Sequence, residues 1–195
     1  PYLFEYILMK TFYSFFLFVS VFSFGQAPFT DVSKEAGIDN IYDVYQGLFG
    51  GGVVAFDYNN DGYEDLYITG GQSQDVLYKN NGNGTFTDVT KGSGLFKDRI
   101  IVTTGVSSAD VNKDGYIDLL VTTIASQNIQ TKKKKTLSPN LFYINNGDGT
   151  FTDSSSKFGI TKNNFSTSSS FGDINADGYP DLFVGNYFKN FYFED

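Results

Sequence analysis

A nine-residue pattern, D-x-N-x-D-G-x-x-D, occurs three times in this chain: from Asp57 to Asp65, from Asp110 to Asp118 and from Asp173 to Asp181. Each copy places side-chain oxygens at positions 1, 3, 5 and 9. They are Asp57, Asn59, Asp61 and Asp65, then Asp110, Asn112, Asp114 and Asp118, then Asp173, Asn175, Asp177 and Asp181. The tyrosine at position 7 (Tyr63, Tyr116 or Tyr179) can add a backbone carbonyl. Such a set suits a hard cation, Ca2+ above all, which takes about six to eight oxygens at roughly 2.3–2.6 Å. Glycine at position 6 lets the chain turn sharply enough to gather them. Asp, Asn and Gly are also ordinary turn residues, but three copies in register argue for more than a solvated turn. The carboxylates of one copy also repel each other unless a cation or a proton relieves them.

The residues after each loop narrow the fold. An EF-hand needs a glutamate at position 12 and an exiting helix, yet position 12 is Ile68, Val121 or Val184. The exits Asp65-Leu-Tyr-Ile-Thr69, Asp118-Leu-Leu-Val-Thr122 and Asp181-Leu-Phe-Val-Gly185 are β-branched and aromatic runs that read as strands. Strands are also expected before the loops, at Gly52-Val-Val-Ala-Phe56 and Gly105-Val-Ser-Ser-Ala109. Further on, Leu77-Tyr-Lys-Asn-Asn-Gly-Asn-Gly-Thr-Phe-Thr-Asp-Val89 is echoed from Leu141 to Asp153, each copy being two strands around an Asn/Gly turn. One unit is thus strand, loop, strand, turn, strand, turn, strand. First aspartates at 57, 110 and 173 stand 53 and 63 residues apart, a spacing that marks repeat arrays. Four antiparallel strands per unit make a propeller blade.

These units resemble the FG-GAP/VCBS repeats of integrin-α-like β-propellers, and are most similar to the secreted propellers related to cartilage acidic protein, some of which carry an ASPIC/UnbV domain. The resemblance covers residues 28–195, with Pro180 at position 8 of the third loop as a local departure. It implies an all-β propeller of four-stranded blades whose loops bind calcium and whose surface serves recognition or adhesion. Units of about 34–90, 91–154 and an incomplete 155–195 give about two and a half blades, against four to eight in closed propellers. The chain is therefore read as an amino-terminal fragment. Phe29-Thr-Asp-Val-Ser33 matches a last strand with no earlier strands before it, and is expected to complete the final blade.

Residues 9–27, with Lys10, an apolar run from Phe12 to Phe24 and a small-residue exit at Gly25-Gln-Ala27, read as a signal peptide. The run is too short for a bilayer span, which needs about 20 residues. Residues 1–8 then precede the natural start at Met9. No cysteine is present, so an exported domain of this kind relies on its core and its metal loops. The secreted or cell-surface compartment is expected, with the periplasm as an alternative.

Beyond residue 27 the formal charge is −8, and nine of the acids are loop aspartates; three calcium ions would leave −2. This balance gives no nucleic-acid footprint. Lys132–Lys135 reads as an exposed insertion between the second and third strands of unit two. The chain has 21 Phe and 14 Tyr, mostly at strand positions, which favours packing over carbohydrate stacking. Asn83-Gly-Thr85 and Asn164-Phe-Ser166 match the glycosylation pattern only as short motifs. Without histidine or cysteine, Ser-His-Asp and Cys-His catalysis have no basis here. The expected role is noncatalytic binding of a protein or glycan. The alternative is the propeller part of a calcium-dependent polysaccharide lyase or hydrolase whose active site lies elsewhere.

Overall fold

Each aspartate loop turns one antiparallel strand into the next, and this corner is the unit from which the sheets are built. The computed structural model describes residues 29–43, 50–95, 100–127 and 138–188. The expected signal peptide at 9–27, the Lys132–Lys135 run and the last seven residues lie outside them. Two compact units are distinguished, Pro1–Val32 and Ser33–Asp195. Of the first, residues 29–32 are described; they form no strand, and the Phe29 side chain is exposed.

Among the described residues of Ser33–Asp195 all regular structure is β. The first sheet holds β1 (Val53–Phe56), β2 (Asp65–Ile68), β3 (Val76–Asn80) and β4 (Phe86–Asp88), in that spatial order. The second holds β5 (Ile100–Ala109), β6 (Asp118–Gln127), β8 (Leu141–Asn145) and β9 (Phe151–Asp153), again in chain order. Every pairing is antiparallel. In the third sheet β10 (Asn163–Gly172) pairs with β11 (Asp181–Phe188) and, at its start, with β7 (Ser138–Pro139). These are two four-stranded blades and the first two strands of a third, part of a β-propeller.

The loops fix the register. Phe56 pairs Asp65, Ala109 pairs Asp118 and Gly172 pairs Asp181, so each loop starts at the same rung. The Asn-Gly hairpins do the same for the outer strands, with Asn80 opposite Phe86 and Asn145 opposite Phe151. Two features differ from the strand pattern in the sequence. β5 and β6 run ten residues each, and register shifts around Thr103 absorb the misfit of the longer pair. The short β7 comes from the polar stretch before Leu141 and joins the third sheet, which no hydrophobic alternation announces.

The core lies between the first two blades. Phe56, Tyr58, Tyr67, Leu77 and Leu95 from one side meet Ile101, Leu119, Val121, Leu141, Tyr143 and Phe151 from the other. In β6 the whole run Leu119–Ile124 is buried, because this strand has a sheet on each face. Each fully buried aliphatic side chain contributes about 1.5–3 kcal/mol. At the inner edge β1, β5 and β10 lie side by side, and a Cβ on Gly52 would stand 2.9 Å from the Gly105 Cα. One on Gly105 would stand 2.8 Å from the Thr167 carbonyl.

Candidate metal centre

The three loops share one internal frame. The position-1 carboxylate accepts two amides: Asp57, Asp110 and Asp173 receive those of Asp61 and Gly62, Asp114 and Gly115, and Asp177 and Gly178, at 2.7–3.1 Å. The position-3 Oδ1 of Asn59, Asn112 or Asn175 accepts the same position-5 amide at 2.9–3.0 Å. Its Nδ2 donates to Oδ2 of the position-5 aspartate, Asp61, Asp114 or Asp177. The other oxygen of that aspartate receives the amide of Tyr63, Tyr116 or Tyr179. This winding needs the left-handed region twice. Gly62, Gly115 and Gly178 sit at φ 86–88°, and the residues at position 4, Asn60, Lys113 and Ala176, at φ 57–60°.

Position 9 has a different environment. Asp65 and Asp118 are fully buried, and each binds one amide of its own loop and one from the third strand of its blade. Asp65 accepts Tyr58 N at 3.1 Å and Asn80 N at 2.7 Å, and Asp118 accepts Val111 N at 3.1 Å and Asn145 N at 2.9 Å. Asp181 is half-buried and accepts Ile174 N at 2.9 Å. Burial raises the Asp118 carboxyl to about 6 against the pull of its two amides, and raises Asp65 for the same reason. The exposed Asp61 and Asp177 move the other way. Asp61 is held down first by its bond from Lys79, and Asp177 by the Tyr179 amide.

Adjacent loops touch through position 4. Asn60 Nδ2 donates to the Gly115 carbonyl at 3.0 Å, and the Lys113 ammonium lies 3.8 Å from the centre of the Tyr179 ring. The rings of Tyr63 and Tyr116 rest against the hairpin glycines Gly82 and Gly147. They pack at least in part, as their place beside a turn suggests.

The fifteen sequence-predicted ligands therefore fall into three equivalent loops. Among the described residues, however, no group of three or more His, Cys, Asp or Glu side chains is placed to hold a metal ion. The physical reason is visible in the frame: carboxylates at positions 1 and 5 point at loop amides, and position 9 is turned into the blade. The donor set itself is all hard oxygen, and a positive group already rests on one loop, the Lys79 ammonium on Asp61. Chemically the loops fit a hard cation once the position-1 and position-5 side chains rotate off their amides and a position-9 oxygen turns towards the loop.

Sequence reasoning missed Asp75. Its buried carboxylate accepts the Tyr67 hydroxyl at 2.7 Å, the Gly70 amide at 2.7 Å and, from the second blade, the Thr103 hydroxyl at 2.6 Å. The only signal would have been its alignment with Asn140, which caps the Thr123 amide at 2.9 Å in the second blade. Nor does the sequence pattern single out Asn145. Its Nδ2 donates to the Tyr58 carbonyl at 2.8 Å and joins the second hairpin to the first loop.

The model of the FG-GAP-like repeat matches residues 57–121 and 133–184, more than half of the chain. The chain belongs to the FG-GAP-like repeat family. The match covers all three loops, starting at Asp57 and ending just past Asp181, so the FG-GAP-like pattern and the loop frame coincide. No curated protein matches the sequence. Among the described residues no helix is long and apolar enough to cross a membrane.

Proposed function

We propose that this protein is an exported, calcium-binding propeller with a noncatalytic recognition or adhesion role towards a protein or glycan, of the kind found beside ASPIC/UnbV domains. The observation that carries the calcium reading is the threefold loop frame, in which oxygens of positions 1 and 3 converge on one amide and position 5 stands exposed beside them. One ion per loop would be held by Asp57, Asn59, Asp61 and Asp65 with the Tyr63 carbonyl, and by the matching residues of the other two loops. When bound, the ion supplies charge neutralisation and cross-linking of the strand corner. The chain's own residues provide the rest: glycine sets the turn, and in the first two loops the position-9 aspartate anchors the loop to the third strand. Export is supported by the residue 9–27 leader, and the noncatalytic role by the absence of histidine and cysteine.

Calorimetric calcium titration, paired with melting curves in calcium and in chelator, tests this reading. Saturable binding of about one ion per loop with a higher melting temperature is the expected result. No heat of binding and no shift would make the loops solvated turns and remove the calcium role.

A further inference from the structure

The hairpin tips carry the three Asn-Gly pairs of the chain, Asn81-Gly82, Asn83-Gly84 and Asn146-Gly147. In such a pair the glycine amide nitrogen can attack the asparagine side-chain carbon, because glycine puts no side chain in the way. Whether it does so depends on what holds the two groups. At two of the pairs both are held. The Gly82 amide donates to Asn80 Oδ1 at 2.9 Å and the Gly147 amide to Asn145 Oδ1 at 3.0 Å, so each nucleophile is already engaged. Asn81 Nδ2 donates to Thr85 Oγ1 while its Oδ1 accepts the Thr87 hydroxyl, and Asn146 is tied in the same way to Thr150 and Thr152.

Asn83-Gly84 is built the other way. Both residues are exposed, and among the described residues the Gly84 amide donates to nothing. Asn83 Oδ1 accepts the Thr85 amide at 3.1 Å and the Thr85 hydroxyl at 2.7 Å, while Nδ2 has no partner among the described residues. Donors aimed at an oxygen that takes up negative charge stabilise the tetrahedral intermediate of acyl transfer. Here the oxygen that must take up charge is held and the nitrogen that must leave is free. The second hairpin shows what the product would look like. Asp148 stands where Asn83 stands, and its Oδ1 accepts the Thr150 amide at 3.0 Å and the Thr150 hydroxyl at 2.6 Å. These bonds, the hydroxyl first, hold its carboxyl below the ordinary range.

We propose that Asn83 is a self-modifying site, deamidated by the Gly84 nitrogen and water with the Thr85 amide and hydroxyl as oxyanion donors. The Gly84 nitrogen bonds to Cγ of Asn83 and its proton passes to Nδ2; the Cγ–Nδ2 bond breaks and ammonia leaves. Water then opens the succinimide. Addition at Cγ breaks the bond to Gly84 N that closed the ring, restores the main chain and leaves aspartate. Addition at the backbone carbonyl carbon of Asn83 leaves isoaspartate. Water is consumed, ammonia is released and nothing is oxidised or reduced. Aspartate is the product the fold accommodates, because Asp148 already occupies the same frame. The conversion adds a negative charge to the first hairpin tip and makes its end chemically equal to the second. It does not depend on the calcium reading.

The test ages the folded chain in mildly alkaline buffer and follows each asparagine by peptide mapping with mass spectrometry. Asn83 should convert about ten-fold faster than Asn81 and Asn146. In urea, where the hairpin hydrogen bonds are gone, the three should convert at similar rates. Thr85→Val removes the hydroxyl donor but keeps the side-chain shape, and should slow Asn83 about five-fold. Asn80→Ala frees the Gly82 amide and should speed Asn81. Equal rates at the three sites of the folded chain, or faster conversion at Asn81 or Asn146, overturn the proposal without any variant. So does the same ranking in urea, which would assign the difference to neighbouring residues in the sequence and not to the fold.

Discussion

The Lys79 ammonium is paired with Oδ2 of Asp61, so the first loop holds an internal cation. Among the described residues the second loop has no counterpart, and Ile144 occupies the equivalent place in β8. A bound ion in the first loop must displace this ammonium. Lys79→Ile should therefore raise calcium affinity at that loop several-fold, a modest gain because the pair is partly solvated. Calorimetry on the variant, with the other two loops disabled, reads it directly; an unchanged or lower affinity would refute the competition.

Asp61, Asp114 and Asp177 are exposed; among the described residues Asp114 and Asp177 bond only within their loops, and Asp61 is joined in addition by Lys79. Replacing any one by alanine should remove one ion from the stoichiometry. It should also lower the melting temperature in calcium while leaving it nearly unchanged in chelator. The loss corresponds to the mass-action stabilisation, about 2.7 kcal/mol where free calcium is 100 times Kd. Three intact ions in each variant would count against the loop assignment.

Asp75 should behave oppositely, as a residue of the fold and not of the metal. Asp75→Ala leaves the Tyr67 hydroxyl, the Gly70 amide and the Thr103 hydroxyl without their acceptor in a buried site. A cost of about 3 kcal/mol is expected, equal in calcium and in chelator. Urea unfolding in both media measures it, and a calcium-dependent cost would contradict the separation.

The Asp118 carboxyl predicts a pH dependence in chelator. Its ordinary value of 3.8 is raised to about 6 in the fold by burial, so the folded chain holds this proton more tightly than the unfolded one. The contribution to stability is full below about 3.8 and declines as pH rises through about 6. Asp118→Asn should flatten the decline, and calcium should flatten it in the wild type by favouring the ionised form. Chemical denaturation at pH 4, 5, 6 and 7 would show whether the two slopes differ.

Much of the fold was legible because the same short signals recur. The nine-residue loop and the Asn-Gly hairpin each fix a register, and together they place four strands without reference to any distant residue. Contacts between units could not be read this way. Thr69 Oγ1 donates to the Thr104 carbonyl at 2.9 Å, and Thr104 Oγ1 in turn to the Ser166 carbonyl at 2.9 Å. Threonine in a strand predicts only a strand, not a hydroxyl spanning to the next sheet. The site shows the same division. All fifteen candidate ligands lie on the loops where the pattern puts them, but the pattern does not reveal that position 9 is turned into the blade or that Lys79 rests on Asp61.

The glycines of the inner strands carry a further meaning. With Gly52 against Gly105, and Gly105 against Thr167, the sheets meet backbone to backbone at one end. Away from that edge they are held apart by Tyr, Leu and Phe side chains. Each unit is therefore a wedge, and the angle of the wedge is set by the difference in side-chain volume between its two ends. How many such units would close a circle is then a matter of residue size at the narrow end. A single methyl group added at Gly105 acts on the curvature of the whole array.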